Sequence, residues 1–234
     1  MPACHAAAVV QTGGVNVLVT AGPTREPIDP VRFLTNRSSG KMGYAVAEAF
    51  AKAGHTVLLV SGPTALDVPD YVDFVPVTTA AEMYEAVAHH LKRMDIAVFV
   101  AAVADYTPAK VAARKIKKNG ETMTLELVKT RDILGSARGT LGFTGTLVGF
   151  AAETEDLEAN ARHKLESKGC DLVVANDVSE AGRGFDSHGN EVTLIYPDRA
   201  APLPHAPKTE LAEDLAREIL HLHQSRTADT FSHH

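Results

Sequence analysis

Continuous apolar runs recur along the chain, and segments with helical spacing separate them. "VNVLVTA" (15–21), "TVLLVSGP" (56–63), "DIAVFVAAVADY" (95–106), "TLVGFAAE" (146–153) and "CDLVVAND" (170–177) are rich in β-branched residues and end at glycine, proline or polar residues. A strand that is apolar at nearly every position needs cover on both faces, which a parallel sheet flanked by helices supplies. "VDFVPV" and "NEVTLIY" read as further strands, and "MTLELVK" alternates as a half-exposed strand would. Helices are expected from Met42, Val46, Ala49, Phe50 and Ala53, one apolar stripe closed by Gly54, and from 80–94, 156–169 and 208–223. The pattern predicts an α/β fold: one doubly wound, mostly parallel sheet with helices on both faces, Rossmann-like, over residues 15–224. The ends, 1–14 and 225–234, are expected to be flexible.

Composition narrows the classes. The chain has 234 residues, 45% of them apolar and 22% charged, with a formal charge of −6, which argues against a basic nucleic-acid face. Cys4 and Cys170 provide neither a disulfide framework nor a metal-ligand spacing, and the histidines do not bring two rings onto one helical face. The first residues do not form a secretory signal, and the longest purely apolar run, 96–104, is too short to cross a bilayer. A cytoplasmic protein without a membrane partner is the expectation.

In a doubly wound sheet, ligands sit beyond the carboxyl ends of the strands. The loop after the first strand carries "NRSSGKMG", with Ser38, Ser39, Gly40 and Gly43 ahead of a helix. Unpaired amides and the helix dipole favour an anion there, and glycines let a phosphate approach the backbone. A serine N-cap and a turn would use the same residues. Neither G-x-G-x-x-G nor a P-loop is present, since Met42 follows Gly40-Lys41. Asp105 ends another strand, where a carboxylate could meet a hydroxyl, an amine or a metal. Lys115, Lys117 and Lys118 cluster beyond it, and Lys164 and Lys168 lie four apart on a helix. Asn176 and Asp177 end a later strand before a glycine-rich loop bearing Arg183 and Phe185. Each group is also compatible with a solvated surface. Together, on one sheet edge, they suit a phosphate-bearing substrate.

"VLVTAGPTREPIDPVRFLTNRSSGKMG", "AAVADY", "KIKK", "VGFAAET" and "DLVVAND", in this order, resemble the phosphopantothenoylcysteine synthetases, the ligase half of the bacterial coenzyme A biosynthesis flavoproteins. The resemblance spans residues 15–222. It implies a ligase that activates the carboxylate of 4′-phosphopantothenate with CTP and Mg²⁺ as an acyl-cytidylate, releasing pyrophosphate. Cysteine then displaces CMP. On this resemblance Asn36 and Arg32 serve the cysteine-dependent half-reaction, and Lys115 offsets charge on the nucleotide. Nucleotide contacts carry over to Gly22, Ser38, Ser39, Gly40, Gly43, Ala101, Ala102, Asp105, Lys115, Arg131, Asp132, Ile133, Leu134, Phe150, Lys164, Lys168 and Asn176. Mg²⁺ is expected mainly on the nucleotide phosphates, with Asp105 the candidate protein ligand. A homodimer is expected, with its contact around 107–130, and no flavin on this chain.

One departure is visible: Arg131 stands where the family commonly has proline. The sequence admits two rival readings. A short-chain-dehydrogenase-like NAD(P) enzyme would use Tyr106 and Lys110 of "YTPAK", but Pro108 between them opposes the helix that pairing needs. A nucleotide or coenzyme A-precursor sensor would have no use for both Asn36 and Lys115. The loops 107–120 and 179–190 are candidate lids.

Overall fold

The computed structural model describes residues 14–118, 120–153, 155–177 and 189–231. Arg183, Phe185 and most of the 179–190 loop lie outside them. The first strand, β1 (Asn16–Ala21), is buried from Val17 onward. It is followed by β2 (Arg25–Pro27) and β3 (Phe33–Thr35), which pair with each other antiparallel. Next come α1 (Lys41–Lys52), β4 (Thr56–Ser61), β5 (Val72–Pro76) and α2 (Ala80–His90). The chain continues through β6 (Ile96–Phe99), β7 (Tyr106–Pro108), β8 (Leu127–Lys129) and α3 (Ile133–Gly139). It closes with β9 (Thr146–Glu153), α4 (Leu157–Lys168), β10 (Leu172–Asp177), β11 (Gly189–Ile195), β12 (Ala200–Pro207) and α5 (Lys208–Phe231).

The main sheet runs β12-β11-β10-β9-β6-β1-β4-β5. From β5 to β10 its pairings are parallel, and β11 runs antiparallel to both of its neighbours, β10 and β12. Consecutive residues of β1 point to opposite faces. Val17 and Val19 therefore join α1 and α5 in one apolar layer, while Leu18 faces the layer of α2, α3 and α4. The expected doubly wound fold is present. Winding reverses between β1 and β6, so their carboxyl ends flank the crevice where such sheets bind ligands.

Differences from the sequence reading have local causes. The Pro-containing loop after β1 contains the short β2–β3 hairpin. Glu26 of β2, only 2% exposed, accepts the Ala80 N–H at 2.8 Å and ties the hairpin to the start of α2. That helix also carries a full capping box between Thr79 and Glu82. β12 is a strand despite three prolines, because it is the sheet's outer edge, where a missing N–H breaks no ladder. The alternation of "MTLELVK" gives β8 no half-buried face: all three of its residues are exposed. Tyr106 and Pro108 lie in β7, so Tyr106 and Lys110 do not share the helix face a dehydrogenase reading needs. Gly54 has φ 87°, the left-handed residue expected after α1. α5 continues to Phe231, past the boundary read at 224.

Candidate active site

Thr20 and Thr24 tie the β1 loop to the β6 loop. Thr20 Oγ1 accepts from Ala101 N at 3.3 Å and Thr24 Oγ1 from Ala104 N at 3.0 Å. Ala102 N donates to Gly22 O at 3.0 Å, and Ala102 O accepts from Thr24 N at 3.3 Å. The two strand ends are thereby fixed against each other before any ligand arrives.

Close backbone approach explains the glycines. Gly22 and Gly40 both have positive φ, 70° and 79°, and a Cβ on Gly40 would lie 2.7 Å from Thr64 Cγ2 and 3.3 Å from Gly22 Cα. Gly40 itself is the α1 N-cap and contributes no side-chain cap. The serine N-cap expected as the bland alternative is therefore not formed. Ser38 Oγ instead accepts the Gly40 N–H at 3.3 Å. Gly43 serves packing as well as access, since its Cβ would stand 2.6 Å from Ala21 Cβ.

These loops wall a cavity of about 300 Å³ at the sheet's switch point. One wall is Gly22 with Ser38–Gly43, a second is Val100–Val103 with Asp105, and a third is Phe150–Ala152, Lys164 and Asn176. Eleven of the seventeen residues read as nucleotide contacts line it. Lys164 Nζ donates to Phe150 O at 2.8 Å, which holds its charge beside the third wall. Asn36 is anchored at the rim, its Nδ2 donating to Ala102 O at 3.1 Å and Val103 O at 3.4 Å. Asn36 also lines a neighbouring concavity of about 790 Å³ with Arg25, Arg37, Ser38, Ser39 and Lys41.

The remaining candidates lie elsewhere. Arg131 pairs with Glu85 at 2.8 Å and covers the Tyr84 ring, turned toward α2. Ile133 is buried in the layer of α2–α4, and Leu134 packs toward Gly149. Asp132 caps α3, accepting Gly135 N–H at 2.8 Å, and forms an ion pair with Lys168. Burial alone would raise the Asp132 pKa, but Lys168 and the Gly135 N–H outweigh it and the net direction is downward. Arg32 and Lys115 line a separate basic concavity of about 760 Å³ with Ile116, Lys117 and Lys118. Within one chain, then, the residues assigned to chemistry divide between two places.

Two lysines of the cleft were missed. Lys41, first residue of α1, borders the cavity at the switch point, the Asn36 concavity and a third groove along α1, and its signal stood in the quoted loop run. Lys208, 9% exposed at the start of α5, joins the cleft from the far end of the chain. Nothing local distinguished it from an ordinary helix-start lysine.

Among the described residues no group of three His, Cys, Asp or Glu could hold a metal. The cleft offers one described carboxylate, Asp105, fixed locally by Thr130 N donating to its backbone carbonyl at 2.9 Å. A single carboxylate suits Mg²⁺ carried in mainly by phosphate oxygens and water.

Residues 12–222 match the family model described as DNA/pantothenate metabolism flavoprotein C-terminal domain. The coenzyme A biosynthesis bifunctional protein CoaBC of Vibrio vulnificus strain YJ016 is 48% identical over 206 residues, covering 87% of this chain and 51% of that protein. The CoaBC of Bacillus subtilis strain 168 is 49% identical over 208 residues, with 88% and 51% covered. The chain thus spans about half the length of the curated relatives it matches. A crystal structure of the C-terminal domain of CoaBC superimposes with a TM-score of 0.77 at 41% identity, covering 92% of this chain and all of that one. A Cab2 mutant in complex with phosphopantothenate-cysteine shares the fold, with a TM-score of 0.75, 18% identity and coverage of 92% and 88%. No described helix is long and apolar enough to cross a membrane.

Proposed function

The chain belongs to the DNA/pantothenate metabolism flavoprotein C-terminal domain family, and on that premise we propose that it is a phosphopantothenate–cysteine ligase. The observation that carries the proposal is the cleft at the reversal of the sheet. It joins a glycine–serine turn at a helix N-terminus to Lys164, with Asn36 tied to its rim. In the first half-reaction a carboxylate oxygen of 4′-phosphopantothenate attacks the α-phosphorus of CTP. The bond from the α-phosphorus to the bridging oxygen breaks, and pyrophosphate leaves. In the second, the cysteine amine attacks the acyl carbon, the acyl C–O bond breaks with CMP leaving, and the amine proton is lost.

Amides of the 38–43 turn and the ammonium groups of Lys41 and Lys164 supply positive potential where charge accumulates on the phosphates, the kind of fixed stabilisation that dominates such reactions. Asn36 positions the activated acyl group, Arg32 and Lys115 add charge from the basic concavity, and Asp105 contributes the protein's share of a Mg²⁺ site. Mg²⁺ supplies charge neutralisation to the nucleotide phosphates when bound. A homodimer is part of this reading. Val31, Val111, Met123 and Val128 are all at least 44% exposed around the β2–β3 and β7–β8 hairpins, an apolar surface that a second copy would cover.

Pyrophosphate release from purified protein given Mg²⁺, 4′-phosphopantothenate and cysteine, with CTP and ATP in parallel, tests the reading. CTP-selective release that requires the acid supports it. ATP preference would correct the nucleotide, and binding without turnover would favour a sensor.

A further inference from the structure

Asp29 lies in the turn between β2 and β3, and its side chain is fully buried although Arg32 beside it is 41% exposed. Five N–H groups converge on its carboxylate. Oδ1 accepts from Val31 N and Arg32 N, each at 2.9 Å. Oδ2 accepts from Arg32 Nε at 3.0 Å, Arg32 Nη2 at 2.5 Å and Ile116 N at 3.1 Å. Arg32 Nη2 also donates to Ile116 O at 3.0 Å, and Ala112 N donates to Ile28 O at 3.0 Å. Ile116, the second residue of "KIKK", is therefore held by both of its backbone polar groups, 87 residues away in sequence from the carboxylate that holds its N–H.

The consequence is geometric. Residues 109–118 contain little regular secondary structure, and Lys115 and Lys117 have only this segment to aim them. Pinning Ile116 fixes the backbone between them, and the same carboxylate fixes the orientation of the Arg32 guanidinium. A bidentate arginine–carboxylate pair is directional, so it sets the angle of the fork as well as its position.

We propose that Asp29 is a positioning residue, whose buried carboxylate locks Arg32 and the 115–118 strap into one arrangement so that their cations act on substrate together. The proposal rests on the ligase reading for the word substrate, and on the hydrogen bonds alone for the clamp. Asp29 touches no ligand; it acts through Arg32 and Ile116.

The test has two arms on the full chain. In the first, limited trypsin digestion of Asp29→Asn is followed by mass, at a temperature where both proteins are folded. Cleavage after Lys115 and Lys117 should quicken about tenfold, because a strap freed from its clamp opens locally. Should Asp29→Asn not fold, Arg32→Lys, which keeps the charge and loses the fork, should show the same release. In the second arm, kcat for product formation should fall about ten- to a hundredfold in Asp29→Asn, the scale expected when charged groups lose alignment. KM for the nucleotide should move little. In an Arg32→Ala background the further loss from Asp29→Asn should be less than twofold, because residues acting as a unit are not additive. Unchanged strap cleavage, or kcat losses that simply multiply, would overturn the proposal. If the unmodified protein forms no product, the ligase reading fails while the trypsin arm still decides the clamp.

Discussion

Replacing Gly43 by alanine sets two known effects against each other. Residue 43 is the third residue of α1, where alanine is favoured over glycine by about 1 kcal/mol. Against this, the added Cβ would lie 2.6 Å from Ala21 Cβ, 3.1 Å from Ala21 Cα and 3.2 Å from Thr20 O. Carbon atoms pack at about 3.5–4.0 Å, so α1 or β1 must shift by roughly 1 Å. Ala21 and Thr20 are both 1% exposed and sit in a strand paired on both sides, so neither yields cheaply. Overpacking of this kind costs about 1–3 kcal/mol, and the upper part of that range applies. The net effect is a destabilisation of about 1–2 kcal/mol, or a Tm lower by about 3–6 °C for a chain of this size. Gly139→Ala is the matched control: beyond its chain neighbours and the backbone of its own helix nothing lies within 4 Å of its added Cβ, and its φ is not positive, so a gain of up to about 1 kcal/mol is expected. Thermal unfolding followed by circular dichroism measures both. A Gly43→Ala protein stabilised like the Gly139→Ala protein would refute the packing argument.

Three further outcomes are expected. Arg138 donates to the carbonyls of Gly169, Phe143 and Gly145 at 3.0, 2.9 and 2.8 Å and pairs with Asp171 at 2.6 Å, so Arg138→Met should cost about 2–4 kcal/mol in urea unfolding. A cost below 0.5 kcal/mol would show that water replaces the clamp freely. Burial pushes the Cys170 thiol up to about 11, so only about one molecule in a thousand is thiolate at pH 8. Iodoacetamide, read by peptide mass, should label Cys170 at least a hundredfold more slowly in native protein than in urea, and equal rates would contradict its burial. The Arg32 guanidinium beside Asp29 holds that carboxyl well below the usual carboxylate range, despite opposing burial. A lowered native pKa gives stability that is complete above about pH 5 and is lost as the pH falls. Asp29→Asn should therefore flatten the decline in stability between about pH 5 and pH 2, and an unaltered slope would contradict the assignment.

The layers of this fold were legible because long-range cover leaves a local mark. Val17–Ala21, apolar but for Thr20, and the wholly apolar Ile96–Phe99 sit between two helical layers, as their composition required. Short elements leave no such mark. α3 has seven residues, two of them glycine, and its one clear signal, Asp132 as N-cap, was read as part of a nucleotide contact. β12 hid behind its prolines, which only its edge position permits. At the site, the 38–43 turn and Asp105 were readable because strand ends and helix starts are local features, and Lys164 because its four-residue spacing from Lys168 is one as well. Lys208 was not, since only the tertiary fold brings the start of α5 to the cleft. Nor was the role of Asp29, whose partner at Ile116 cannot be found from spacing.

The central claim is an acyl-nucleotide intermediate, and oxygen tracing tests it most directly. 4′-Phosphopantothenate labelled with ¹⁸O in its carboxylate is incubated with the protein, CTP, Mg²⁺ and cysteine, and the products are weighed by mass spectrometry. Attack of that carboxylate on the α-phosphorus, followed by cleavage of the acyl C–O bond, predicts one ¹⁸O in CMP and none in pyrophosphate. Label in inorganic phosphate with CDP as co-product would mean γ-phosphoryl activation, and would contradict the chemistry assigned to the cleft.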